Sequence, residues 1–515
     1  MNQAPQLAGF YLGNHDSNLA VFAKGRVRYH KFERSTGEKH RHATLLEVAA
    51  VCRRWGVEPA YIAYSDGDRN GLGSCAEGEL AHERKSLGIS LFPAAKQTFC
   101  LDHHFAHILS AWPCGELQPG TLGVAVDGKG DRGVRARAVW LGAGGAAESL
   151  FETGTFTLGR FFNQVGARLG LSGLVIDFAG KLMGLQAYGT ADPDFVRRRH
   201  EDPSEELPGR LMDGIAWRGR TPREHKAMFT PGNPDFLDWL ATCHQCLGEA
   251  LVRLFERYGG APDTPLVYAG GCAQNSVFNE MLAARFPRLV IPPHSYDGGL
   301  SLGCLEYLRL RLGLAPLPLA DFPFVQDDED AGYASPATVS AVCDLLVKGR
   351  IVGWMQGNGE IGPRALGHRS LLMDPRQADA KDRLNGRVKF REHWRPFAGS
   401  VLAETAAEWF TTETPSPYML RAIPVRPERR HAIPAVVHRD GTSRIQTVDA
   451  AAPGLASFHR LLVEFGEATG VPMLLNTSLN SGGQPIYGTR AQALELFRSG
   501  RIDALCLGDE LYVHR

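Results

Sequence analysis

The sequence predicts an α/β protein of two domains, the first assembled from two duplicated halves. Three observations predict it. A chain of 515 residues exceeds what one hydrophobic core usually supports. A strand, glycine turn, strand unit occurs twice in the first half of the chain. Residues 314–333, with Pro316, Pro318, Pro323 and the acidic run Asp327-Asp328-Glu329-Asp330, read as a linker.

Residues 7–13 form an apolar run, turn through Asn14-His15-Asp16 and return at 19–22, with Lys24-Gly25 suiting a hairpin. The pattern recurs where the run 121–126 ends in Asp127-Gly128 and 134–138 returns with strand-like alternation. Such units suggest the fold shared by actin, sugar kinases and the heat-shock chaperone ATPases. A third run, 265–269, meets Gly270-Gly271 and then a helix start at Cys272-Ala273-Gln274-Asn275; strand, double glycine, helix suits nucleotide contact. In 234–258, Phe236, Leu240, Leu247, Leu251, Leu254 and Phe255 keep helical spacing after an Asn233 cap. Cys243 and Cys246 lie inside it as the one C-x-x-C, expected as buried helix thiols because no second pair completes a zinc ribbon. Residues 351–354 begin the first clear strand of the second domain, and 471–475 read as a later one.

Basic and acidic residues balance at 56 each, so nothing global attracts nucleic acid or an anionic membrane, and small-molecule chemistry is favoured. The N-terminal stretch lacks a basic region followed by a long apolar one, and no apolar run approaches a membrane span. Ten scattered cysteines fit reduced thiols, and the expectation is a cytoplasmic protein.

Gly128–Gly133 and Gly357–Gly362 both match G-x-G-x-x-G. Neither suits a dinucleotide, since an alternating strand follows the first and Pro363-Arg364 the second. Asp127 and Asp131 among glycines can instead hold a Mg²⁺-phosphate, or form an ordinary acidic turn. In Asp102-His103-His104-Phe105-Ala106-His107, the i,i+4 pair His103 and His107 lies on one helix face and can chelate a divalent metal. No glutamate follows His103, so the zinc-protease base is missing. Asp297, in His294-Ser295-Tyr296-Asp297-Gly298-Gly299, is the carboxylate that would make a two-histidine, one-carboxylate site. Further on, Arg364 and Arg369 flank a glycine-rich turn, Lys389, Arg391 and Arg395 fall within seven residues, and Arg444 lies downstream. Guanidinium forks bind phosphate oxygens, and the interleaved Trp394, Pro396 and Phe397 favour a partly buried pocket over a solvated face. Ser478 and Asn480, in Asn476-Thr477-Ser478-Leu479-Asn480, add hydroxyl and amide groups.

Taken in order, DHHFAH, VDGKGD, GKLMGLQAYG, AGGCAQN, YDGG, GPRALGHRSLL, KFREHWRPFA, RIQTV and NTSLN resemble the nodulation and antibiotic O-carbamoyltransferase family, from about residue 8 to the end. The resemblance implies a first domain, 1–330, like the universal tRNA threonylcarbamoyladenosine transferase subunit (TsaD-like, a duplicated actin-like ATPase fold). It implies a second, 331–515, like the YrdC-type adenylate-forming α/β domain. The implied reaction uses carbamoyl phosphate and ATP. The second domain forms carbamoyl-AMP, and the first transfers the carbamoyl group to a hydroxyl. The resemblance assigns His103, His107 and Asp297 to a metal, for which it implies Fe²⁺, with Mg²⁺ as a possible companion of ATP. It assigns Asp127, Gly270, Gly271 and Asn275 to nucleotide contact, and Arg364, Lys389, Arg391, Arg395, Arg444, Ser478 and Asn480 to the adenylating pocket. His15, Asp16 and Lys39 fall where the family's acceptor-site motifs lie and are the candidates for assisting proton removal from the hydroxyl. Asn14 stands where the family commonly has a histidine, and Leu479 where it has phenylalanine.

The expected acceptor is therefore a small hydroxylated metabolite, with no nucleic acid or membrane partner, acted on by a monomer or homodimer. The alternative is a tRNA threonylcarbamoylating fusion enzyme, against which net neutrality and the GPRALGHR segment speak. A non-catalytic nucleotide-binding sensor on the same scaffold would have no need of the histidine pair, Asp297 and the arginine cluster.

Overall fold

The computed structural model describes residues 5–66, 72–84, 91–115, 117–224 and 226–514. The chain divides into two compact α/β units. One comprises the chain up to Gly13 with Leu45–Pro316, the other Asn14–Thr44 with the chain from Leu317 onward.

In the first unit, strands Leu7–Tyr11, Tyr61–Ser65 and Gln97–Leu101 run parallel in that order, and Ala81–Arg84 pairs antiparallel on the outer edge of Gln97–Leu101. Every residue of Leu7–Tyr11 is buried, as expected of a parallel strand covered by helices. Helix Leu300–Arg311 packs on Leu7–Tyr11, on Tyr61–Ser65 and on helix His103–Leu109. The last approach needs a glycine, because a Cβ on Gly303 would lie 1.9 Å from the Ala106 carbonyl oxygen. The second sheet is ordered Leu289–Val290, Leu266–Ala269, Leu122–Val126, Ala136–Leu141, Ala147–Thr153; its first three strands are parallel and the last two return antiparallel. Both halves follow one plan in sequence: a strand, a hairpin, then strands parallel to the first. The hairpin that follows Leu7–Tyr11 in sequence, Asn18–Ala23 with Arg26–Lys31, is counted with the second unit. Helix Pro234–Arg257 starts where the Asn233 side chain accepts from the backbone N–H groups of Asp235 and Phe236. It buries Cys243 and Cys246 as expected.

The second unit is built on a mixed eight-stranded sheet, ordered Arg421–Pro424, Thr442–Val448, Ala398–Leu402, Met473–Ser478, Arg369–Met373, Val352–Met355, Ala504–Leu507, Glu510–Val513. Alternation along its central strands splits the core in two. Val352, Trp354, Leu372 and Leu474 face one layer, which includes Phe458 and Leu462 of helix Ala456–Thr469. Met355, Leu371, Met473 and Leu475 face the other.

The expected division at 330/331 moves. Residues 14–44 and 317–330 both belong to the second unit, and the acidic run is a packed strap where a solvated linker was expected. Its charges explain why. Arg28 donates to Asp327 at 3.0 Å; Arg34 donates to the buried side chain of Asp328 at 3.4 Å and to the carbonyls of Glu360 and Gly362; Glu329 accepts from the backbone N–H of Arg490.

Candidate active site

In the first unit, strand Gln97–Leu101 leads directly into helix His103–Leu109, whose N-cap Asp102 accepts from the N–H of Phe105. Buried Arg137 pairs with that same carboxylate at 3.1 Å. Asp131, which the glycine turn offered as a Mg²⁺ ligand, is buried and accepts instead from the backbone N–H of His103 at 3.2 Å. The helix is thus held from both sides, and it turns His103 and His107 toward two carboxylates. The Nε2 atoms of the histidines are 3.2 Å apart; His107 Nε2 lies 2.9 Å from Asp127 Oδ2 and 3.3 Å from Asp297 Oδ1; His103 Nε2 lies 3.6 Å from each carboxylate. One donor atom from each of the four fits within 4.8 Å of the others. Tyr11 donates to the second oxygen of Asp297 at 2.6 Å and fixes its orientation.

Burial opposes charge here, and the facing carboxylates oppose burial. The Asp297 charge and the bonds to Asp127 and Asp297 outweigh desolvation and hold the His103 pKa well above the usual histidine value. For Asp127, burial and the Asp297 charge push upward, but the bonds to both histidines win and its pKa falls below the carboxylate range. Two nitrogens and two carboxylate oxygens converging on one buried point suit a divalent transition metal. The trio named from sequence comes together, and Asp127, assigned there to nucleotide contact, joins it as a fourth donor. The glycine segment lies against it: Gly271 N–H donates to Asp127 Oδ2 at 3.1 Å, and Gly270, at φ +92°, leaves no room for a Cβ, which would sit 2.2 Å from the Val126 carbonyl oxygen. The Asn275 amide is engaged locally: its oxygen caps helix Ser276–Arg285, and its nitrogen lies 3.0 Å from His244 Nε2.

In the second unit Asp16, itself at φ +59°, is buried among Lys31 at 2.8 Å, His15 Nδ1 at 2.9 Å and His40 Nδ1 at 3.0 Å. Desolvation would raise the Asp16 pKa, but the Lys31 charge and the two imidazole bonds carry it well below the usual carboxylate value. Lys31 also pairs with Glu33 at 2.7 Å, and Glu33 accepts from the His40 backbone. Of the sequence candidates, His15 and Asp16 meet here. The lysine on Asp16 is Lys31, and Lys39 is the half-buried residue preceding His40. Lys31, Glu33 and His40 carried no motif; only the short hairpin could have brought Lys31 back over Asp16.

The same unit gathers the basic residues. Lys389 ends a π-turn, Asn385–Lys389, and is buried, its ammonium donating to the Ser478 and Asn480 carbonyls and side chains. Burial, then Arg391 and Arg395, hold its pKa well below the ordinary lysine value. Arg391 lies over the Phe397 ring at 4.3 Å, and burial and Arg395 push it down to about 9. Arg444, on strand Thr442–Val448, is depressed by burial and then by Arg364, Arg391 and Arg395; no hydrogen bond or ion pair of its guanidinium occurs among the described residues. Arg369 separates from this group: fully buried, it donates to the carbonyls of Gln356, Gly357 and His368 and so holds the glycine-rich turn. Glu392 approaches Arg395 at 3.9 Å and partly offsets the charge on Arg391, and the excess of cations over that carboxylate suits an anion.

Residues 343–514 match the family described as Carbamoyltransferase C-terminus. The nodulation protein NolO of Bradyrhizobium diazoefficiens is 31% identical over 443 residues, covering 79% of this chain and 78% of that protein. The chain belongs to this carbamoyltransferase family. It is a carbamoyltransferase by the same comparison, and further relatives agree. NolNO of Sinorhizobium fredii is 30% identical over 454 residues, 81% of this chain and 64% of the relative. Nodulation protein U of Rhizobium tropici is 32% identical over 356 residues, 64% and 60%. In this carbamoyltransferase the family segment contains the whole run from Arg364 to Asn480, while the four-donor cluster lies outside it. No helix among the described residues is long and apolar enough to cross a membrane.

Proposed function

We propose that this carbamoyltransferase works with carbamoyl phosphate and ATP in two half-reactions, activating the carbamoyl group in the arginine pocket and transferring it at the histidine–aspartate cluster to a hydroxyl of a small metabolite. The observation that carries the reading is Arg444, a guanidinium without a hydrogen-bond or ion-pair partner among the described residues and pressed against Arg364, Arg391 and Arg395. A phosphate ester or anhydride is the ligand that turns this repulsion into binding.

In the first half-reaction carbamoyl phosphate loses phosphate to water, leaving carbamate. The carbamate oxygen then attacks the α-phosphorus of ATP, forming carbamoyl-AMP and expelling pyrophosphate. The guanidinium groups neutralise charge growing on the phosphoryl oxygens, and Lys389 holds the Ser478–Asn480 turn beside them. In the second half-reaction the acceptor oxygen attacks the carbamoyl carbonyl, AMP leaves, and the hydroxyl proton passes to a base. An imidazole whose Nδ1–H is held by a carboxylate keeps its lone pair on Nε2, and Asp16 accepts from both His15 and His40 in this way. His103, His107, Asp127 and Asp297 would hold a divalent metal, with Fe²⁺ as the proposed ion. When bound it supplies a Lewis acid, which a carbamoyl group needs because its nitrogen donates into the carbonyl. The YrdC-like character of the second unit, the cytoplasmic location and an acceptor other than a macromolecule belong to the same proposal.

The test is pyrophosphate release by the purified chain with ATP, with and without carbamoyl phosphate. Release that requires carbamoyl phosphate supports the reading; release that requires threonine and bicarbonate promotes the tRNA-modifying alternative.

A further inference from the structure

A second convergence of metal-binding side chains lies in the first unit, apart from the four-donor cluster. Cys100 on strand Gln97–Leu101 stands directly opposite His82 of the edge strand Ala81–Arg84. Directly opposed residues project to the same face of a sheet, so the thiol and the imidazole share one side. The chain before the edge strand folds over that side. Tyr64 and Arg84 both donate to the Leu72 carbonyl, Cys100 Sγ lies 3.1 Å from the Gly73 carbonyl oxygen, and Cys75 Sγ lies 3.6 Å from that of Cys100. Both thiols are buried. One donor atom each from Cys75, His82 and Cys100 lies within 4.8 Å of the others. At the rim, Glu79 Oε2 is 3.2 Å from His82 Nδ1 and accepts from the Ala76 N–H.

We propose that Cys75, His82 and Cys100 form a structural site for a thiophilic divalent cation of the zinc class, with Glu79 supplying the fourth ligand. Metal–sulfur bonds of about 2.3 Å and metal–nitrogen bonds of about 2.0 Å set tetrahedral ligands roughly 3.3–3.8 Å apart, so Cys75, His82 and Cys100, within 4.8 Å of one another, close by contracting at most an ångström or so, and Glu79 would swing in from the rim. Both thiols give their protons to solvent, and the cation neutralises the sulfurs. The donors differ in kind from the imidazole and carboxylate set of the active site, so the two positions select different ions. The site would pin the sheet edge to the strand that delivers His103. A backbone bond already runs there, since Asp102 N–H donates to the Leu80 carbonyl.

Co²⁺ is the probe, because the active-site donors include no sulfur. Titrating Co²⁺ into the reduced, metal-stripped full chain should produce sulfur-to-cobalt charge-transfer absorption in the near ultraviolet. It should persist in His103→Ala, disappear in Cys75→Ser and His82→Ala, and be displaced by Zn²⁺. A wild-type titration without that absorption overturns the proposal, as does absorption undiminished in a folded Cys75→Ser. Should the variants not fold, alkylation mapped by mass spectrometry on the wild type decides: Zn²⁺ must slow modification of Cys75 and Cys100 roughly tenfold or more relative to the stripped chain. Equal rates, or a Cys75–Cys100 disulfide recovered from the Zn²⁺-treated protein, overturn it.

Discussion

Replacing Arg444 by methionine should separate catalysis from folding. The side chain projects from strand Thr442–Val448 into a group of like charges, and its depressed pKa comes from burial and then from Arg364, Arg391 and Arg395. With carbamoyl phosphate or ATP bound, it contributes a charge-assisted contact in a partly desolvated pocket. Losing such a contact costs about 2–5 kcal/mol, which at 1.36 kcal/mol per decade is roughly a 30- to 5000-fold fall in kcat/KM for pyrophosphate release. Stability should not fall with it. Removing one cation from a crowded set relieves repulsion worth on the order of 1 kcal/mol or more per close pair, so the thermal midpoint of the variant should equal or exceed that of the wild type. Phosphate should stabilise the wild type, by about 2.7 kcal/mol at a hundredfold excess over its Kd, and should stabilise the variant far less. Transfer from supplied carbamoyl-AMP should persist. The assays are coupled pyrophosphate detection and calorimetric melting in phosphate; normal pyrophosphate release, or a lowered midpoint with phosphate stabilisation intact, would refute the placement of the anion site.

Asp127→Asn removes one charged donor from the four-residue cluster, and should lower bound metal and abolish carbamoyl transfer while leaving pyrophosphate release intact; elemental analysis beside both assays checks this. Arg137→Met strips the partner from buried Asp102, an uncompensated charge costing about 3–5 kcal/mol, so chemical denaturation should show that loss and weaker metal retention. Asn275→Ala should cost about 1 kcal/mol of stability through the lost cap with near-normal transfer; transfer abolished in a fully folded variant would return Asn275 to nucleotide contact. The pH dependence follows from Arg391, pushed down to about 9 by burial and Arg395. A bound phosphate restores the charged form, so binding takes up protons and affinity is full below that pKa and falls as pH rises through it. Calorimetric Kd values for ATP across this range should weaken with rising pH, and a flat profile would contradict the crowding argument.

Much of this architecture was legible from local pattern. Asn233 announced its helix because an amide before an amphipathic run satisfies the first N–H groups wherever the helix packs. His103 and His107 were legible because i,i+4 spacing fixes their common face without tertiary information. Asp127 was placed by its glycine turn in a nucleotide loop; only the pairing of Leu122–Val126 with Leu266–Ala269, and the helix crossing beneath, shows that it completes the histidine set. The acidic run at 327–330 has the composition of a linker, and its partners Arg28 and Arg34 lie almost three hundred residues away in sequence. Arg364 and Arg369 look alike in GPRALGHR, yet Arg369, on strand Arg369–Met373, is fully buried while Arg364, ahead of that strand, is only partly buried. Position in a motif identifies the residue type a site needs, and packing decides which copy is used.

The most direct measurement is mass spectrometry of the full chain incubated with carbamoyl phosphate, ATP, Fe²⁺ and a metabolite extract, run alongside pyrophosphate detection. The account predicts pyrophosphate and AMP formed together with a small alcohol heavier by one carbamoyl group, all lost when carbamoyl phosphate is omitted or Arg444 is replaced. Carbamoyl or threonylcarbamoyl label found only on tRNA, or a carbamoylated product formed without ATP turnover, would contradict it.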